Sequence, residues 1–127
     1  WLLGTGGVSK AVQYALQEMQ LRYTCVSRHP EEHQLAYHQL TREVMEQHTV
    51  IVNCTPLGML PEVDTCPPIP YEYITPAHLL YDCVYNPERT LFLQNGQRQG
   101  ARILNGKQML YLQADAAYEI WNKIKND

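Results

Sequence analysis

Apolar positions fall into short unbroken runs, separated by stretches where they recur every three or four residues. That alternation predicts most of the elements. Leu2 and Leu3 read as the end of a buried strand. Between Gly7 and Gln20, the residues Val8, Val12, Ala15, Leu16 and Met19 recur at helical spacing. "YTCV" at 23–26 reads as a second strand, rich in residues that favour a pleat. Pro30 suits a first helical turn, and Glu31 and Glu32 suit its dipole, so a helix is expected from Pro30 to about Leu40. A weaker helical pattern covers "TREVMEQ" at 41–47.

The clearest strand is "TVIVNCT" at 49–55, with no polar alternation before Asn53, as befits a strand covered on both faces. Six prolines between Pro56 and Pro76 predict a loop, because proline continues neither a ladder nor a helix. "LLYDCVY" at 79–85 is another buried strand, closed by Asn86 and Pro87. A short helix over Thr90–Gly96 and a last strand over Ala101–Leu104 follow. From Gln108 to Lys125 a long amphipathic helix carries Leu110, Gln113, Ala117, Ile120, Trp121 and Ile124 along one side. Nearly all-apolar strands alternating with helices predict an α/β fold, a doubly wound parallel sheet with helices on both faces.

Composition narrows the function. The 127 residues form one domain of ordinary polarity, 45% hydrophobic and 18% charged. The net charge is −3 and the cations are scattered, so no basic stripe is present for nucleic acid. No apolar run approaches a membrane span, and the start shows no secretory leader. The chain opens at Trp1, which reads as a piece of a longer protein. Cys25, Cys54, Cys66 and Cys83 form no Cys-x-x-Cys pair; they read as inert thiols in a reducing, cytoplasmic compartment. His29 and His33 lack a third ligand and read as solvated side chains, so no metal is expected.

The chemistry concentrates at the start. Gly4, Thr5, Gly6, Gly7, Val8 and Ser9 lie between a strand and a helix, where a dinucleotide-binding loop belongs. Gly4 permits the tight turn, Gly6 lets a diphosphate approach the backbone, and Ser9 stands for the third small residue. The first amides of the helix then face the anion. The other reading is a flexible turn whose glycines only relieve steric crowding. Where an NAD site would carry an acid, at the end of the second strand, Ser27 and Arg28 stand instead. A guanidinium there suits a 2′-phosphate and so favours NADP, although alone it would equally be a surface cation.

Three more segments, "VNCTPLGM" at 52–59, "YDCVYNPERTLFL" at 81–93 and "NGKQMLYLQADAAYEIW" at 105–121, join "GTGGVSKAV" and "SRHP" in resembling the C-terminal half of shikimate dehydrogenases. The resemblance spans essentially the whole chain. It implies a Rossmann-like domain over residues 1–127 and the cofactor NADP(H), with Gly4, Gly6, Gly7, Val8 and Ser9 at the diphosphate. Ser27, where the family carries asparagine, and Arg28 would meet the 2′-phosphate. Asn53, Cys54 and Thr55 would line the crevice, with Val84, Gly106 and Met109 flanking the nicotinamide. Tyr85 and Gln113 would reach toward shikimate. The resemblance also implies that the proton-handling lysine and aspartate belong to the family's preceding substrate domain, for which no segment here stands. The parent reaction would reduce 3-dehydroshikimate to shikimate. The helix at 107–127 would pack on the absent domain, leaving an apolar face around Leu110, Ala117 and Trp121 prone to self-association. Three other readings are an NAD-dependent quinate/shikimate enzyme, a non-catalytic nucleotide-binding module, and a Rossmann-like methyltransferase.

Overall fold

The apolar runs pair with one another as their missing polar alternation requires. In a computed structural model, which describes residues 1–84 and 86–106, they form one parallel sheet. Its strands are β1 (Leu2–Leu3), β2 (Cys25–Ser27), β3 (Leu35–Ala36), β4 (Val50–Asn53), β5 (Leu79–Asp82) and β6 (Arg102–Asn105). They lie in the order β3-β2-β1-β4-β5-β6, every neighbour parallel. This is the doubly wound, Rossmann-like α/β arrangement, whose strand order reverses between β1 and β4. Three helices accompany it among the described residues: α1 (Gly7–Glu18), α2 (Arg42–Gln47) and α3 (Leu91–Arg98).

The period of two along each strand divides the core between the faces. Leu3, Val26, Ile51 and Leu80 meet Met45 of α2 and Phe92 and Leu93 of α3 on one side. Leu2, Cys25 and Val52 meet Leu16, Val12 and Met19 of α1 on the other. Thr41 and Thr90 start α2 and α3 as N-caps, their hydroxyls accepting from the amides of Val44 at 3.3 Å and Leu93 at 3.4 Å.

Two expectations need correction. Residues 30–40 form no helix: a turn leads into β3, which pairs with Val26 and Ser27, and a 3₁₀ turn follows at Tyr37–Gln39. Pairing at the open edge of β2 outweighs the favourable helix start, and His33, at φ 68°, breaks any helical run. In α1 the inward stripe is Ser9, Val12, Leu16 and Met19, while Val8 and Ala15 are exposed. Ser9 is wholly buried, its hydroxyl bonded to Gln13, and Val8 is exposed on the outer side of the helix start. The helix expected at 107–127 lies outside the described residues.

Gly96 shows how tightly α3 sits. A Cβ there would overlap the side chain of Leu80, itself wholly buried in the sheet. We expect Gly96→Ala to lower stability by about 1–3 kcal/mol despite its better helix propensity. The urea midpoint measures this; an unchanged or raised midpoint would contradict the close packing.

Candidate functional site

Where the strand order reverses, the connections leaving β1 and β4 turn to opposite faces and open a crevice beyond their carboxyl ends. A cleft of about 500 Å³ occupies this place. Its walls are the glycine loop, the turn after β2 and the segment after β4, with Tyr37 and Pro68 closing it. A larger hollow of about 870 Å³ lies between α3 and β6, among Glu88, Arg89, Gln94 and Asn105, and gathers none of the expected site residues. The expected site residues gather at the smaller cleft.

The glycine loop has two different reasons for its composition. Gly4 has φ +99°, and a Cβ on it would stand 2.8 Å from Thr55 Cγ2, so both backbone and space demand glycine. Its amide donates to the Val26 carbonyl at 2.9 Å, which aims the chain out of the sheet. Gly6 and Gly7 are the opposite case, since a Cβ on either would meet nothing within 4 Å. The open space beside them is the approach to the start of α1. Gly6 caps that helix without a side-chain hydrogen bond, and Lys10 is the first residue to bond back, to the Gly6 carbonyl at 3.0 Å. The amides of Gly7, Val8 and Ser9 thus precede the helical ladder, and the first turn holds no acidic residue. Such an end attracts an anionic group. Ser9 offers only its amide: its hydroxyl is buried and accepts from Gln13 Nε2 at 3.1 Å.

Across the cleft, Ser27 Oγ accepts the His29 amide at 3.1 Å and shapes the turn after β2. Arg28 is exposed at the rim, with no carboxylate within ion-pair distance among the described residues. His29 and Glu31 share this rim. Tyr37 was not anticipated from the sequence; burial raises its phenol, and the nearby Arg28 charge acts in the opposite direction. Only the tertiary pairing of β3 carries this aromatic to the cleft.

The third wall rests on a buried polar network. Asn53 Nδ2 donates to Asp82 Oδ1 at 3.1 Å and to the Leu57 carbonyl at 3.3 Å. Its Oδ1 accepts the Thr55 hydroxyl at 2.6 Å and the Thr55 amide at 3.0 Å. Asp82 also takes the Val84 amide at 2.9 Å and the Thr90 hydroxyl at 2.6 Å. Asn53 is therefore spent on holding the wall, whereas Thr55 and Cys54 line the cleft itself. Val84 is buried and engaged through its amide with Asp82. Gly106 is buried, and a Cβ there would collide with the Cys83 carbonyl. Tyr85, Met109 and Gln113 lie outside the described residues. The sequence reading missed Asp82 and Thr90, although one carboxylate inside the run "LLYDCVY" was a signal. It also missed His78, whose buried ring accepts the Thr75 amide at 3.0 Å and donates to the Met45 carbonyl at 3.1 Å.

Among the described residues no group of three side chains is placed to hold a metal, and no helix is long and apolar enough to cross a membrane. The residues at the cleft suit a dinucleotide: two glycines with open faces, the free amides of a twelve-residue helix, and a guanidinium at the rim that no carboxylate pairs among the described residues.

Comparison with known proteins agrees with this geometry. No protein-family model matches the chain. The chain is 33% identical to the shikimate dehydrogenase (NADP(+)) of Desulforamulus reducens, over 94% of its own length and 47% of that protein's. The crystal structure of shikimate dehydrogenase from Aquifex aeolicus is 30% identical, with TM-score 0.72, over 96% of this chain and 47% of that one. That of the Thermus thermophilus shikimate 5-dehydrogenase, in complex with NADP(H) and shikimate, is 28% identical with TM-score 0.69, over 86% and 43%. The chain spans about half the length of the curated relatives it matches.

The buried carboxylate at the end of β5 makes stability depend on pH. Burial raises Asp82 above the ordinary carboxylate range, against the opposing hydrogen bonds from Thr90, Val84 and Asn53. Between the ordinary value and the raised one, the folded chain holds a proton that the unfolded chain has released. Stability contributed by Asp82 therefore falls as pH rises through that window. Asp82→Asn should remove this slope. Urea unfolding of both proteins from about pH 4 to 7 measures it, and a wild-type chain that gains stability relative to the variant as pH rises would reverse the assignment.

Proposed function

We propose that this relative of the shikimate dehydrogenases is their NADP-binding domain, extending over residues 1–127. The observation that carries the reading is the pair of complementary walls at the reversal of strand order: open glycines leading to the unpaired amides of α1, faced by Arg28. The names of the matched relatives support the same cofactor.

In this reading the amides of Gly7, Val8 and Ser9 hold the diphosphate, and Gly4 lets the loop pass close against Thr55. Arg28 forks onto the 2′-phosphate, while Ser27 and its bond to the His29 amide hold that turn in shape. Cys54 and Thr55 wall the channel toward the nicotinamide, braced from behind by Asn53 and Asp82. Val84, Gly106 and Met109 flank the ring, and Tyr85 and Gln113 meet the hydroxyls of shikimate. NADPH supplies the hydride that reduces the 3-keto group of 3-dehydroshikimate. The lysine and aspartate that manage the accompanying proton fall, by the family resemblance, in the half of the relatives that this chain does not match. The chain alone therefore binds cofactor and turns over little. The domain is cytoplasmic, and the segment 107–127 self-associates when no substrate domain covers it.

Calorimetric titration with NADP⁺ and NAD⁺ tests the cofactor. A charge-assisted bond to phosphate contributes about 1.5–3 kcal/mol, so Arg28→Ala should weaken NADP⁺ about tenfold or more while leaving NAD⁺ nearly unchanged. Binding of neither nucleotide, or equal loss of both, would overturn the assignment of Arg28.

Gly6→Ala provides an independent check, because its Cβ enters only open space. It should keep the melting temperature within about 2 °C and weaken both nucleotides. Unchanged affinity for either would show that no ligand passes over Gly6.

A further inference from the structure

Two thiols stand on neighbouring strand ends, Cys54 lining the cleft and Cys83 beside it in the core under α1. The pairing of β4 with β5 runs from Val50 opposite Leu79 to Asn53 opposite Asp82. The Cys83 amide then donates to the Asn53 carbonyl at 3.1 Å, so Cys54 and Cys83 are the next neighbours across the ladder. Adjacent strands lie about 4.8 Å apart, within the Cα separation of roughly 4.4–6.8 Å that a disulfide bridges. Both side chains project to the face covered by α1, into the cluster of Leu2, Cys25 and Val52. Cys54 and Cys83 thus face the same cluster from adjacent strands. Cys25, in the same cluster, lies on β2, with β1 between it and β4. Cys66 lies apart, accepting from Asn95 Nδ2 at 3.8 Å.

We propose that Cys54 and Cys83 are a redox-active dithiol that closes to a disulfide on reaction with a hydroperoxide. The two thiols are not equivalent. Cys54 is buried, and the neighbouring Cys83 together with burial pushes its thiol up, so it stays protonated. Cys83 is half-buried and meets the oxidant first. Its thiol gives up a proton and the sulfur attacks the terminal peroxide oxygen; the O–O bond breaks, the departing hydroxide or alkoxide takes up that proton, and a sulfenic acid remains. Cys54 sulfur then attacks the Cys83 sulfur and the S–O bond breaks. The departing hydroxide takes the Cys54 proton as water. Two thiols are oxidised and one hydroperoxide is reduced.

The test is disulfide mapping of the full chain after exposure to hydrogen peroxide, denaturation and alkylation. Expected are peptides joined through Cys54 and Cys83, loss of alkylation at both, its recovery with dithiothreitol, and unchanged alkylation of Cys66. In Cys83→Ala, Cys54 should remain fully alkylated after the same treatment. The proposal is overturned if both thiols stay alkylated in the wild-type chain. It is equally overturned if Cys83 passes to the sulfinic acid without joining Cys54, or if Cys54 is oxidised as fully in Cys83→Ala. None of these readouts depends on nucleotide binding, so they stand apart from the cofactor assignment.

Discussion

A carboxylate buried at the end of β5 dictates much of what surrounds it. Asp82 is wholly inaccessible, and a buried carboxylate without partners is untenable. Its two oxygens therefore recruit an amide side chain from β4, a backbone amide from the following loop and the capping hydroxyl of α3. Thr90 serves two groups at once, donating to Asp82 and accepting the Leu93 amide. The start of α3 is thereby fixed to the end of β5. Asn53, held from one side by Asp82, uses its remaining atoms to fold the Thr55–Leu57 segment back on itself.

The cleft inherits its shape from this chain of bonds. Thr55 is set by Asn53, and Gly4 comes within a methyl group's reach of Thr55. The two segments leaving β1 and β4 are consequently in contact at their bases and diverge outward, one into the start of α1 and the other along the cleft wall. The same contact leaves the amides of α1 unblocked. An ordinary N-cap side chain or an acidic first turn would have satisfied that end internally; neither is present. The anion site is thus a consequence of what the helix start lacks, placed by what the strand ends hold.

The thiol pair belongs to the same construction. The network that fixes Asn53 against Asp82 also fixes the residues that follow each of them, Cys54 and Cys83. A side chain that walls a nucleotide channel in the proposed reading is thereby kept beside a partner with which it forms a covalent bond. Nucleotide binding and proton transfer, in that reading, are divided between this chain and the half of the relatives it does not span.

Sequence alone determined the doubly wound sheet, because uninterrupted apolar runs must be covered on both faces and their period distinguishes strand from helix. It determined the glycine loop after β1 and the place of Arg28 just after β2, since both depend on residue type at fixed distance from a strand. It did not determine β3. Leu35 and Ala36 are too short a pair to show any period, and only the free edge of β2 makes them a strand. Nor did it determine which residues of α1 turn inward, where a serine displaced a valine. The Asn53–Asp82–Thr90 network was equally hidden, because its members are 29 and 8 positions apart and their chemistry appears only when β4, β5 and α3 are packed. Short-range pattern records burial and turns, whereas a polar contact between distant segments exists only once the fold has brought them together.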